Sequence, residues 1–221
     1  MSRTVLITGA SRGIGKACAL KFAAEGYTVL TPTRQEMDLG SHSSIVEYVT
    51  RLKVSVDVLV NNAGINPLAE IEAINFDNAA ELMDINFWAP VRLTKLFAPA
   101  MSKAGYGRIV NISSIWSGVT KSGRSMYASS KAAINAFTRT AAVEYAPFNV
   151  LVNAVAPGYI NTELTKMNNT AEQIEQIKKN LPVNRLAEPE EIAELVYFFG
   201  SERNSFVTGQ TIFADGGYSI V

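Results

Sequence analysis

A length of 221 residues suits one well-buried domain and is short for two. Twenty basic and twenty acidic residues cancel, which gives no footing for a nucleic-acid or membrane-surface partner. Cys18 is the only cysteine and His42 the only histidine, so an internal disulfide and a cysteine-clustered metal site are excluded, and no metal is expected.

In chain order, short β-rich apolar runs alternate with longer helical patterns. The first strand, 4–8, begins almost at once, with no basic region and signal core before it, and no apolar run reaches membrane-spanning length; a cytoplasmic location is expected. A helix over 14–25 follows, with Cys18 among small apolar neighbours. Next come a strand at 28–33, a helix at 42–53, a strand at 56–60, a helix at 77–103 and a strand at 108–113. The remainder reads as a helix at 127–146, a strand at 150–155, helices at 171–179 and 189–199, and a last strand at 211–214. With no repeat or linker, residues 1–221 are expected to form a single α/β domain, a doubly wound parallel sheet covered on both faces.

The pattern over 77–103 is apolar nearly all round: Leu82, Met83, Ile85, Phe87, Trp88, Val91, Leu93, Leu96 and Phe97 cover most of its circumference. Such a helix is buried on more than one side, either within the domain or under a second subunit. The second alternative is favoured, and a homotetramer or homodimer built on 77–103 and 127–146 is expected.

Between the first strand and first helix lies Thr8-Gly9-Ala10-Ser11-Arg12-Gly13-Ile14-Gly15. Glycines there permit a tight turn, and the helix N-terminus presents N–H groups and a positive dipole end to a pyrophosphate. A dinucleotide site is the favoured reading, with Gly9, Ser11, Arg12, Gly13, Ile14 and Gly15 as candidate ligands.

The Gly-x-x-x-Gly-x-Gly spacing resembles that of the short-chain dehydrogenase/reductase family, and further landmarks agree along the whole chain. They are Asn61-Asn62-Ala63-Gly64, Tyr127-x-x-x-Lys131, Pro157-Gly158 and Asp215-Gly216-Gly217. The resemblance implies a Rossmann-type fold, strand order 2-1-4-5-6-7 in family numbering, and a nicotinamide cofactor. It adds Asn62, Ala63, Gly64, Pro157, Gly158, Ile160 and Thr162 to the cofactor-binding candidates, and makes Tyr127 and Lys131 both catalytic and cofactor-binding. One departure stands out: only Gln35-Glu36-Met37 separates Arg34 from Asp38-Leu39, too short for a crossover of at least ~10 residues. The edge helix–strand unit after the second strand is therefore shortened or missing. Asp38 and Leu39, which resemble the family's pair beside the adenine, keep their place as candidates.

Reducing a ketone takes a hydride at carbon and a proton at oxygen. A phenol with an ordinary pKa near ~10 needs help to release its proton, and Lys131, four residues after Tyr127, lies on the same helix face. Ser114, thirteen residues before Tyr127, is read as the carbonyl-binding hydroxyl, with Ser113 the competing candidate. Asn86, twenty-eight residues before the serine, matches the family's catalytic asparagine. By resemblance, its side chain opens the helix locally and holds a water linking Lys131 to solvent.

Cofactor choice turns on the end of the second strand, where an acidic side chain would accept a ribose 2′-hydroxyl and repel a 2′-phosphate. Thr33 stands there, followed by Arg34, with Arg12 able to approach. Two guanidinium groups and no carboxylate favour NADP(H). The C-terminal half most resembles β-ketoacyl carrier-protein reductases. This makes a 3-oxoacyl thioester the leading small-molecule substrate and a sugar, polyol or small ketone the alternative. Phe148 stands where those reductases usually place a docking arginine. Trp116 and Tyr159 are candidate pocket walls, and residues 162–181 a candidate lid. A non-catalytic NADP-binding sensor is the third reading, disfavoured because all four catalytic positions are filled.

Overall fold

The computed structural model describes residues 2–221. Six strands form one parallel sheet: β1 (Thr4–Ile7), β2 (Thr28–Leu30), β3 (Val58–Asn61), β4 (Gly107–Ile112), β5 (Val150–Pro157) and β6 (Thr211–Ala214). Their spatial order is β2-β1-β3-β4-β5-β6, which is the expected order with the family's third strand absent. The helices are α1 (Gly13–Ala24), α2 (His42–Arg51), α3 (Phe76–Met83), α4 (Ala89–Ala104), α5 (Ser125–Tyr145), α6 (Glu163–Met167), α7 (Ala171–Asn180) and α8 (Pro189–Gly200).

Successive strand residues point to opposite faces, so the four central strands feed two cores, while the edge strands β2 and β6 stay partly exposed. Val5, Ile7, Val58, Val60, Val110 and Val155 meet Phe22 of α1 and Ile192, Val196 and Phe199 of α8. Leu6, Leu59, Ile109 and Val152 meet Ile45 of α2, Leu93, Phe97 and Met101 of α4 and Ala141 of α5. Burial on both faces explains why the strands read as continuous apolar runs.

Several boundaries differ from the sequence expectation for visible reasons. The second strand stops at Leu30, because Pro32 has no N–H for the ladder and Thr33 opens a turn: Glu36 and Met37 both donate backbone N–H to the Thr33 carbonyl, at 3.1 and 2.9 Å. No regular helix lies between Arg34 and Ser41. The long helix over 77–103 is three pieces: Asp84–Trp88 adopts a wider, π-helical turn between α3 and α4. Its apolar circumference is mostly used within the domain: Leu82, Leu93 and Ala98 are fully buried and Trp88 is the large residue left about half exposed. In-domain packing accounts for Leu82, Ile85, Leu93 and Phe97, while Met83, Phe87, Val91 and Leu96 stay half-buried. The lid segment holds α6 and α7, the latter closed by a Thr170–Gln173 capping box.

Among the described residues, no helix is long and apolar enough to cross a membrane, and no group of three or more His, Cys, Asp or Glu could hold a metal ion.

Candidate active site

The parallel strands deliver their C-terminal ends to one crevice, beside the point where the order reverses around β1 and β3. At the end of β1, Gly9 takes φ 66°, and a Cβ there would sit 2.9 Å from Ala63 Cα. A Cβ on Gly15 would lie 2.3 Å from the Gly9 carbonyl oxygen, so α1 starts hard against its own turn. Asn62 fastens the turn, its Nδ2 donating to the carbonyls of Thr8 (2.9 Å) and Gly9 (3.0 Å). Thr8 Oγ1 accepts the N–H groups of Asn62 and Ala63, each at 3.0 Å. The start of α1 has no side-chain cap and no acidic residue in its first turn, leaving its N–H groups facing the crevice mouth. Thr162 closes in from the other side: a Cβ on Gly13 would meet its Cγ2 at 3.4 Å. Arg12 reaches Glu163 at 3.2 Å in an exposed pair. Ile14 packs against the first core and Ile160 is buried beside it.

The catalytic candidates converge from β4, α5 and the π-helical turn. Asn61 and Asn111, in register on β3 and β4, bond side chain to side chain at 2.8 Å, and Asn111 continues to Thr138 of α5 at 2.9 Å. This buried polar chain ties the sheet to α5. Just past β4, Ser113 Oγ donates to the Lys131 carbonyl (3.3 Å) and is thereby committed to the α5 backbone. Ser114 Oγ accepts the Trp116 N–H (3.3 Å) and, unlike Ser113, has no bond committing it to the α5 backbone. Burial pushes the Tyr127 phenol up, against the hydrogen bond from Ser114 and the nearby charge of Arg124, which pull it down. Lys131 Nζ donates to the Ile112 carbonyl at 2.8 Å and lies 5.6 Å from the Tyr127 ring centre. Burial pushes its ammonium down to about 8.

Asn86 is 1% exposed in the wide turn, and its amide is fully used. Oδ1 accepts the Ile65 N–H (2.9 Å), and Nδ2 donates to the Ile65 carbonyl (2.9 Å) and to Ser130 Oγ (3.2 Å). A Cβ on Gly64 would meet Asn86 Oδ1 at 3.2 Å and Lys131 Nζ at 3.5 Å, so both side chains border that glycine. Pro157 ends β5, and Gly158 donates to the Ala214 carbonyl at 2.9 Å, drawing the C-terminal strand to the crevice.

At the end of β2 the expected absence of a carboxylate does not hold. Glu36 folds back so that one carboxylate oxygen accepts both the Thr33 N–H (2.8 Å) and the Thr33 hydroxyl (2.9 Å), which holds its carboxyl below the ordinary range. The signal was present, since Thr33-x-x-Glu36 is a capping-box spacing. Arg34 is exposed, 3.9 Å from Asp38 and 3.8 Å from Glu81. Asp38 Oδ1 caps Gly40 N–H at 3.0 Å, and Leu39 packs on the second core.

Two residues packed on Trp116 carry no signal in the sequence. Tyr218, in the C-terminal turn, stands with Trp116 and Tyr159 in a mutually edge-on trio, ring centres 5.5–6.3 Å apart. Burial next to Tyr218 pushes the Tyr159 phenol up to about 12. Arg124, immediately before α5, is 8% exposed with its guanidinium 4.7 Å from the Trp116 ring centre.

A family profile described as enoyl-(acyl carrier protein) reductase matches residues 33–219, and one described as short chain dehydrogenase matches residues 3–42. The chain is 36% identical to an acetoacetyl-CoA reductase of Shinella zoogloeoides, over 100% of both chains. It is also 36% identical to a 3-oxoacyl-[acyl-carrier-protein] reductase of Aquifex aeolicus, covering 96% of this chain and 95% of the relative. A solved structure of a putative gluconate dehydrogenase from Agrobacterium tumefaciens superposes with a TM-score of 0.94 at 31% identity, covering 99% of this chain and 96% of the other.

Proposed function

The chain belongs to the short-chain dehydrogenase/reductase family, and on that premise we propose that it is an NADP(H)-dependent oxidoreductase interconverting a carbonyl and a secondary alcohol. The observation that carries the reading is the convergence of Ser114, Tyr127 and Lys131 at the end of β4, beside an uncapped helix N-terminus built for a pyrophosphate. The turn fits that group, because Gly9 and Gly15 leave no room for side chains where the backbone must come close. Gly9 through Gly15 would hold the pyrophosphate, Asn62, Ala63 and Gly64 the adenosine side, and Tyr127 and Lys131 the nicotinamide ribose. Pro157, Gly158, Ile160 and Thr162 would line the nicotinamide end.

The nicotinamide, when bound, supplies or takes the hydride. Tyr127 gives its phenolic proton to the oxygen of the carbon being reduced and recovers it in the reverse direction. Lys131 lowers the cost of the resulting phenolate by charge proximity. Ser114 orients the substrate oxygen, and Asn86 fixes the Gly64–Ile65 backbone beside Lys131. A 3-oxoacyl thioester is the leading substrate, supported by the relatives, while the exposed Phe148 argues against docking of a carrier protein.

The test is NADPH and NADH oxidation against β-ketoacyl thioesters, ketoses and diketones. At least one carbonyl class is expected to be reduced, and silence toward all of them points to a binding module. NADPH is expected to bind tighter than NADH by a factor of ~10 or more, about 1.4 kcal/mol. Glu36 opposes that preference, because its carboxylate sits on the Thr33 donors that a 2′-phosphate would use. Glu36→Gln, which removes the charge, is therefore expected to tighten NADPH by a further factor of ~10 with little effect on NADH, read by fluorescence titration. Equal response of both cofactors would place the 2′-phosphate elsewhere.

Assembly into a homodimer or homotetramer is part of this reading. Trp88 and Val143 remain exposed on the π-helical turn and α5, and Phe87 and Phe137 pack edge-on, ring centres 6.5 Å apart. Light scattering at micromolar concentration is expected to report an oligomer, and Trp88→Glu to shift it toward monomer.

A further inference from the structure

Arg124 carries a charge that the protein leaves unanswered. It is 8% exposed, yet among the described residues no carboxylate lies within salt-bridge distance of its guanidinium, and its N–H groups make no hydrogen bond. Arg108 shows how this chain normally buries an arginine: at 3% exposure, its guanidinium donates to the carbonyls of Gly107, Asn149, Ser201 and Asn204. Arg124 has only the face of Trp116, 4.7 Å from its ring centre. Its nitrogens make no bond within the protein yet are not wholly shut off from solvent, so they stay open to a ligand that supplies the missing partner.

Its position says which ligand. Arg124 precedes Tyr127 by three residues, about one helical turn, and lies over Trp116, whose ring in turn meets Tyr159 and Tyr218. The neighbouring Ser125 hydroxyl is buried without a partner, and the first turn of α5 has neither a side-chain cap nor an acidic residue. The other walls are aromatic, from Trp116, Tyr159 and Tyr218. One guanidinium balances one negative charge and matches a carboxylate in a two-point pair, whereas a phosphate dianion would call for more donors.

We propose that Arg124 is a specificity residue that binds the carboxylate of the substrate, so that the enzyme acts on oxo acids and the corresponding hydroxy acids. This rests on the carbonyl-reducing reading of the same site and puts a free acid in place of the thioester, because the thioester carbon carries no carboxylate to pair with Arg124. The test pairs pyruvate, acetoacetate and levulinate, which place the ketone at increasing distance from the carboxylate, with their methyl esters. Each is titrated calorimetrically into the enzyme with and without NADP+ and assayed separately for NADPH oxidation. At least one acid is expected to bind tenfold or more tighter than its ester. In Arg124→Met that ratio is expected to fall to about one, and in Arg124→Lys to be retained in part. Cofactor titration of each variant checks that it is folded.

Acids and esters bound alike by the parent enzyme in every pair would overturn the assignment, without recourse to any variant. So would a preference for acids that survives in Arg124→Met. Inorganic phosphate competing better than any acid would overturn the choice of carboxylate. Acid-selective binding that depends on Arg124, but without NADPH oxidation by any compound, would uphold the site and reject the reductase reading.

Discussion

Tyr127→Phe is expected to lower turnover by a factor of ~10² to 10⁴, the usual worth of a positioned general acid, while NADPH affinity changes little. The substitution removes one oxygen and leaves the ring, so the packing of α5 against the end of β4 is conserved. What disappears is the phenolic hydroxyl that the proposed mechanism uses as the acid. Affinity is expected to hold because the cofactor's grip comes chiefly from the glycine turn and Lys131, neither of which the change touches. Steady-state NADPH oxidation beside fluorescence titration separates the two effects. Retention of more than about a tenth of parental turnover lies outside the range for a lost general acid and would move the acid to another residue.

Lys131→Met is expected to damage turnover and cofactor affinity together, yet to stabilise the cofactor-free protein near neutral pH. The ammonium is 3% exposed and its pKa falls from the ordinary 10.5 to about 8 through burial. Between those values the unfolded chain holds a proton that the folded chain has released, so stability rises with pH across the window from about 8 to 10.5. Below about 8 both states are charged and the folded state bears the full cost of a buried ammonium, about 3 kcal/mol for a shift of that size. Removing the charge is expected to recover up to about 3 kcal/mol at pH 7, less what the unpaired Ile112 carbonyl costs. That gain should shrink as pH climbs through the window and vanish above it. Urea unfolding of both proteins at pH 7, 9 and 10.5 reads it directly. A pH-independent difference would mean that Lys131 titrates near its ordinary value when the cofactor is absent.

The sequence made some layers of this molecule legible and hid others, for definite reasons. Central strands buried on both faces announce themselves as unbroken apolar runs, whereas Tyr127, Lys131 and Ser114 were read from a spacing that resembles the family's and stand as a proposal. The broken helix is different. An apolar pattern over 77–103 reports burial, but not which neighbour provides it: α2, α5 and the sheet cover Leu93, Phe97 and Met101, and leave Trp88 exposed. Glu36 is legible only as a local capping pattern, three residues past the strand end where a ribose-binding carboxylate is expected. Arg124 was a different kind of omission. Nothing in Gly123-Arg124-Ser125 says that the guanidinium will be buried, since the walls that bury it come from Trp116 and from the fold around it. Tyr218 likewise reaches the pocket only because β6 carries the C-terminus back beside Gly158.

The missing helix–strand unit after β2 also bears on how this margin of the sheet meets other chains. Without a further strand beside it, β2 becomes the outer margin of the sheet, and a bare margin of unpaired backbone groups is a template for pairing with another chain. Here the template is only three residues long, its first residue Thr28 is exposed and polar, and Pro32 follows shortly with no N–H to offer an incoming strand. Beyond it the chain turns away into the Thr33–Glu36 loop. A shortened margin closed by proline leaves an approaching strand too few backbone bonds to hold, so the loss of the helix–strand unit does not open a route to edge-to-edge aggregation.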